Sequence, residues 1–357
     1  MNDSQTDSNC GPQQAGANDK FAPDILLQVA KEWLAQGVQQ KACELIVSHL
    51  STQTAPPGSL FNAASLLLDA GQADLAERYV SATPAELQNI HYWCLYAAVH
   101  FANDKHSEAR QCLRAAEKLA TSSYDWCQCA VSWRKTGELR DAERCIKVAV
   151  QLAKHDGDWR ECAENWREIG DVHQASRCLR KAEPLIKYAG DWIACAEGWR
   201  KLGAEHKARH CLKKVEPMIN SSYGWLCCVE AWGHLGDLQE ACFCLSKAEQ
   251  LAEAAGDWRS CADSWWQLGN LHEAQRCLSK AELLAKDAGE WQRCADSWWQ
   301  FGDLNAARRC LKQAVQLAEY YCDWSDCAVC WQKLGDLYEA RRCLAKAEHC
   351  VFSSMTI

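Results

Sequence analysis

From Trp93 onward, apolar and small residues return along the chain at fixed distances. With the first Trp of each stretch as place 0, places 0, 3, 4, 7 and 10 are apolar or small. That spacing marks one face of a helix. A second face follows at places 13, 16, 20 and 23, for example Val172, Ala175, Leu179 and Ala182 after Trp159. Between them stands Gly at place 11, which suits a left-handed helix cap. The next residue can cap the second helix. The boxes Asp171-x-x-Gln174, Asp237-x-x-Glu240, Asn270-x-x-Glu273 and Asp336-x-x-Glu339 predict strong starts there. The second helices are expected to stop near Gly157-Asp158, Gly190-Asp191 and Gly256-Asp257. No stretch reads as strand.

The pattern is a repeat. Trp93, Trp126, Trp159, Trp192, Trp225, Trp258, Trp291 and Trp324 follow one another at a constant interval of thirty-three. Place 7 holds Trp133, Trp166, Trp199, Trp232, Trp265, Trp298 and Trp331. Weaker copies begin at Leu26 and Leu60, making ten units from about Ala22 to Cys350. A helix pair cannot bury its face alone, so such units stack into a continuous core. The predicted organisation is a tail over 1–20 without periodicity, a repeat domain over 21–350 and a short tail over 351–357. Ser51–Ser59, with Pro56-Pro57-Gly58, reads as a longer loop between units.

The order Trp159, Ala163, Trp166, Gly170, Ala175, Leu179 and Ala182 resembles the tetratricopeptide repeat. The resemblance extends over all ten copies, and so over nearly the whole chain. It departs from the family in a period shorter by one, in Cys at place 3 instead of Leu, and in Gly-Asp where a Pro often closes a unit. The resemblance implies an all-α, right-handed α–α superhelix (a solenoid) of about ten helix pairs. Its first helices would line a concave groove. It also implies a non-catalytic scaffold for a peptide or a partner protein. The family's clamp for acidic chaperone tails, with Lys and Asn or Arg at places 1 and 5, has no match in any unit.

Composition narrows the function. The net charge is −8, without the clustered Lys and Arg that backbone binding to nucleic acid needs. No run of 18 apolar residues is present, and the first twenty residues lack a basic start and an apolar stretch, so no membrane span or secretory signal is expected and a cytoplasmic protein is. Fifteen of the 24 cysteines fall at places 3 and 19, where a small buried residue is expected. They are expected to be reduced and metal-free, with no cofactor. Cys327-x-x-Cys330 has metal-ligand spacing but no second such pair. No Gly-rich phosphate loop, H-E-x-x-H or G-x-S-x-G motif occurs, so no catalytic residues are expected.

Places 1, 5 and 8 share a helical direction away from the core and correspond to the family's groove face. Place 5 is acidic in five successive units: Glu164, Glu197, Glu230, Asp263 and Asp296. Place 8 runs Arg134, Arg167, Arg200, Gly233, Trp266, Trp299. These residues, Gly233 excepted, are the candidate binding set, for a peptide basic toward one end and acidic toward the other. The competing reading is a solvated face whose Glu164–Arg167 and Glu197–Arg200 pairs merely support their own helices. Other functions weighed were an enzyme or metal protein using the Cys-rich C-terminal units, and an RNA-binding helical repeat, against which the acidic row argues. With Leu344 and Ala347 expected to lie open, weak self-association through the C-terminal end is a further expectation.

Overall fold

The computed structural model describes residues 23–50, 55–84 and 88–354; the predicted tail over 1–20 lies outside them, as do the side chains of 57 and 351–354. The described residues form twenty α-helices in consecutive pairs and no strand. The pairs are α1 (Pro23–Ala35) with α2 (Gln39–His49), α3 (Pro57–Asp69) with α4 (Ala73–Ser81), α5 (Ile90–Ala102) with α6 (His106–Leu119), and α7 (Ser123–Lys135) with α8 (Leu139–Leu152). Next come α9 (Asp156–Glu168) with α10 (Val172–Ala182), α11 (Ala189–Lys201) with α12 (Glu205–Val215), and α13 (Ser222–His234) with α14 (Leu238–Gln250). The last are α15 (Ala255–Gln267) with α16 (Leu271–Leu284), α17 (Ala288–Gln300) with α18 (Leu304–Leu317), and α19 (Tyr321–Lys333) with α20 (Leu337–Ser354). Two compact units result, Met1–Lys154 with Asn165–Asp171, and His155–Glu164 with Val172–Ile357.

Within the second unit the pattern of contact repeats. α11 packs on α12, α13 on α14, α15 on α16, and so on to α19 on α20. Each second helix from α10 to α18 also touches the first helix that follows, and first helices from α11 to α19 touch their successors. The first unit shows the same scheme for α3 to α7. The turn inside each pair needs a left-handed residue, and Gly supplies it, as at Gly170 with φ of 90°. In the unit from Trp93 the same place holds Asp104, which takes φ of 58° without being glycine. None of the described helices is long and apolar enough to cross a membrane.

Burial follows the period. All seven tryptophans at place 7 are buried, whereas those at place 0 are graded, with Trp159, Trp225 and Trp324 buried and Trp126, Trp192, Trp258 and Trp291 half-buried. Cys at place 3 and Ala at place 16 are buried from Cys129 and Ala142 onward.

Four local expectations are corrected. First, place 13 is exposed, at Leu139, Val172, Leu238, Leu271, Leu304 and Leu337. It is the first residue of its helix, so its side chain leans back past the end of the pair. Cys at place 19 completes the buried face in its stead. Second, the Gly-Asp pairs do not end the second helices. α8, α10 and α14 end at Leu152, Ala182 and Gln250, and the pairs lie in the first turn of the next helix. There the acid accepts from free backbone N–H groups: Asp158 from His155 at 3.0 Å, and Asp257 from Glu253 and Ala254 at 3.1 and 3.0 Å. Third, Asn270 and Asp336 cap their helices, but Asp237 does not; its carboxylate takes Arg209 Nε at 2.6 Å. Fourth, α20 runs to Ser354, beyond the expected stop near Cys350. On it Leu344 is exposed but Ala347 is buried.

Candidate functional site

The predicted face is built on the first helices, and it is only partly free. Several of its charges are spent inside the array. Lys201 Nζ lies 3.2 Å from Glu164, and Lys333 Nζ lies 3.0 Å from Asp296. In each case the carboxylate of one unit holds the first helix of the next. Asp263 does the same through Ser297 Oγ, which donates to it at 2.8 Å, while Arg259 reaches it at 2.6 Å from its own helix. Burial raises the Asp263 carboxyl above its ordinary pKa, against the effect of those two partners. Glu197 is held by Arg200 at 2.6 and 2.7 Å, and that bond lowers its pKa. Arg134 and Arg167 both pair with Glu168, the first at 3.3 Å. The three arginines of the predicted row are therefore committed to carboxylates of the chain itself.

One carboxylate of the row differs. Glu230 is exposed and makes no ion pair or hydrogen bond among the described residues. The residue in its next unit that corresponds to Lys201 and Lys333 is Gln267. Glu230 borders a cavity of about 510 Å³, whose other lining residues include Tyr223, Leu226, Gly233, Ser264 and Gln267. Gly233 stands where neighbouring units have Arg200 and Trp266, and no heavy atom lies within 4 Å of a Cβ placed there. The missing side chain leaves that cavity open. Beyond it, Trp266 and Trp299 are each 41% exposed. Trp266 stacks on Phe301, with ring centroids 5.9 Å apart and planes at 27°. The pair is neither core nor free: each indole presents part of its surface.

A second constellation was not foreseen. Glu at place 24 reaches the next unit, where the buried Trp at place 7 donates its indole N–H to it. Trp133 donates to Glu117 at 2.6 Å, Trp199 to Glu183 at 2.8 Å, Trp265 to Glu249 at 2.6 Å, and Trp298 to Glu282. Arg at place 18 of that next unit completes the clasp: Arg144 on Glu117 at 2.5 Å, Arg276 on Glu249 at 2.6 Å, Arg309 on Glu282 at 3.0 Å. For Glu249, burial opposes ionisation, but the bonds from Arg276 and Trp265 outweigh it and its pKa lies below the ordinary value. Two places earlier, Lys stacks on the outer Trp of its own unit: Lys181 on Trp159 at 4.3 Å, Lys280 on Trp258 at 4.0 Å. The tripeptide Lys-Ala-Glu at places 22–24 thus covers one Trp, fills the core and clasps another. Its recurrence at 181–183, 247–249, 280–282 and 346–348, in step with the tryptophans, was the available signal.

The cysteines at places 3 and 19 are buried, and burial pushes the thiols of Cys178, Cys228, Cys261 and Cys294 up to about 12. Such thiols are poor nucleophiles. Cys327 and Cys330 are buried as well, while Cys322 is exposed, and no third metal-ligating side chain closes on them among the described residues.

The helix pairs, the left-handed glycine at the turn and the small buried residues at places 16 and 23 decide the architecture. It is tetratricopeptide-like. Solved structures with similarity include the APC/C hetero-tetramer Cut9–Hcn1, at 14% identity over 91% of this chain and 80% of that one, TM-score 0.29. A tetratricopeptide repeat protein from Parabacteroides merdae matches at 11% identity over 71% of this chain and 99% of its own, TM-score 0.33. A thermophilic tetratricopeptide repeat protein of Thermus thermophilus matches at 18% identity over 50% and 98%, TM-score 0.34. No protein-family model and no curated protein matches the chain. Identification of the fold rests on the helix pairs themselves.

Proposed function

We propose that this tetratricopeptide-like array is a non-catalytic scaffold that holds an extended peptide segment of a partner protein along its first-helix face. The observation that carries the reading is the unpaired Glu230 carboxylate at the cavity over Gly233. Glu164 and Asp296 of the same row are satisfied by Lys201 and Lys333; Glu230 is left for a cation from outside. The cavity's apolar lining from Tyr223 and Leu226 suits the stem of a Lys or Arg side chain, with the charge meeting Glu230. Trp266 and Trp299 offer aromatic surface for an apolar residue of the same segment. Asp263 and Asp296 keep the strip acidic. Arg134, Arg167 and Arg200 are occupied, so the acidic half of a bipolar peptide has less support.

The test is selection from a random peptide library on the full chain, followed by titration of a recovered peptide. Recovered peptides should carry a Lys or Arg at a fixed spacing from an aromatic or aliphatic residue. Gly233→Trp, which fills the cavity, and the double change Trp266→Ala with Trp299→Ala should each weaken binding at least tenfold, on the order of 1.4 kcal/mol, with helicity unchanged. Glu230→Gln should reduce the salt dependence of association. If selection returns no peptide above background, or binding ignores Gly233→Trp, the reading is wrong.

A further inference from the structure

The clasp at Glu183 is built differently from those at Glu117, Glu249 and Glu282. At the junction of α10 with α11 and α12 the place-24 carboxylate is Glu183, in a short 3₁₀ turn over Glu183–Leu185. The residue that should supply the guanidinium is His210, not Arg. From the same register Arg144, Arg276 and Arg309 reach their carboxylates at 2.5, 2.6 and 3.0 Å. The Glu183 carboxylate has no cation among the described residues; its hydrogen-bond partner there is the Trp199 indole N–H at 2.8 Å. Beside it lie Cys195 and Cys211, both fully buried. A Glu183 carboxylate oxygen and the two Sγ atoms lie within 4.8 Å of one another, and this is the one such convergence among the described residues.

We propose that Glu183, Cys195 and Cys211 form a zinc(II) site, with His210 as the fourth ligand. The donor set is two thiolates, a carboxylate and an imidazole, a borderline-soft combination that suits zinc. With Zn–S bonds of about 2.3 Å, two tetrahedral sulfurs sit roughly 3.8 Å apart, within the limit the three atoms already satisfy. The Trp199 N–H on the carboxylate is the kind of outer contact that orients a metal-bound ligand. His210 is exposed and stands next to Cys211 on α12, at the place from which the sibling arginines reach their carboxylates. On binding, each thiol gives its proton to solvent and the metal takes the two thiolates. Four protein ligands leave no open position, so the site is structural: it pins the 3₁₀ turn after α10 to both helices of the following unit. The expectation of metal-free thiols is thereby revised at this unit alone. Glu117 and Glu249 each take one thiol, Cys145 at 3.6 Å and Cys277 at 3.3 Å, but among the described residues no other carboxylate closes on both thiols of its pair.

The test is equilibrium dialysis of the full-length protein, reduced with a phosphine and stripped with chelator, against zinc(II) and separately cobalt(II). The expected result is one zinc per chain by elemental analysis, and thiolate-to-cobalt charge-transfer absorption in the near ultraviolet. His210→Arg installs the residue of the sibling clasps on an exposed position. It should weaken metal binding tenfold or more while helicity is kept. Cys211→Ser should abolish the charge-transfer band, whereas Cys261→Ser, one of the sibling pairs, should leave it unchanged. Absence of stoichiometric zinc in the wild type would overturn the proposal. So would a band that survives in Cys211→Ser, or binding that His210→Arg leaves intact.

Discussion

Two junctions between successive helix pairs differ by one side chain. After α14, Glu249 accepts the Trp265 indole N–H at 2.6 Å and the Arg276 guanidinium at 2.6 Å. After α18, the corresponding residues are Val315, Trp331 and Arg342. The tryptophan is equally buried and the arginine is present, but the acid is missing. The Trp331 N–H then has no acceptor, and Arg342 turns to Glu339 of its own helix at 3.3 Å. The packing of the tryptophan therefore does not depend on the carboxylate; what the carboxylate adds is satisfaction of a buried donor and a bond from one unit to the next.

The largest effect follows from breaking the complete junction. Glu249→Ala leaves a buried indole N–H without its acceptor and the partly buried Arg276 guanidinium with Glu273 alone, at a cost of about 2 kcal/mol. Because Glu249 has its pKa lowered in the folded state, its contribution is present above the ordinary carboxylate pKa. It is lost as pH falls through the folded value. The stability gap between wild type and variant should thus be widest near neutrality and shrink in acid. Urea unfolding together with hydrogen exchange of α15 and α16 reads both, since an array of repeats opens locally. A gap that is constant with pH would mean that the loss is packing alone.

The same contrast explains what could be read in the chain. Helix pairs, turns and core places were legible because each depends on residue type at a fixed spacing: Gly170 must take a left-handed turn, and Ala175 must be small. The exposure of Val172 was not, because periodicity ignores where a helix starts. On the candidate face, spacing grouped Glu164, Glu230 and Asp296, but whether each is free depends on a residue 37 positions on: Lys201, Gln267 or Lys333. That offset spans two units and has no counterpart in a single helix. The clasps were missed for the same reason, since Glu249 and Trp265 belong to different units.

Completing the deficient junction is the converse experiment. Val315→Glu places a carboxylate 16 residues before Trp331 and 27 before Arg342, the separations found for Glu249, Trp265 and Arg276. Val315 is half-buried, so the new group reaches Trp331 without being entombed. The expected gain is about 1 kcal/mol, the net value of an intramolecular hydrogen bond. It should vanish in the background Trp331→Phe, which removes the donor but keeps an aromatic ring. A gain that persists in that background would come from Arg342 alone, and a loss would show that the carboxylate is too costly to bury beside the thiol at Cys343.

The smallest change lies two residues earlier. Place 22 holds Lys181, Lys280 and Lys346, whose ammonium groups stand 4.3, 4.0 and 4.4 Å from the ring centroids of Trp159, Trp258 and Trp324. In the unit before the deficient junction the residue is Gln313, and its outer tryptophan is Trp291, which is half-buried. A neutral amide cannot be attracted by the ring's quadrupole as an ammonium is. Gln313→Lys should therefore stabilise α17 against α18 by about 0.5 kcal/mol, the exposed-site value. The reverse change, Lys280→Gln, should cost a similar amount in the unit before. Exposed charges are screened by salt while the stem's cover of the indole is not, so the ammonium's share is what falls between low and high ionic strength. Paired urea titrations of the two variants, each at both salt concentrations, separate these shares. If both variants move stability equally at either salt, the side chain acts on tryptophan only as an apolar lid.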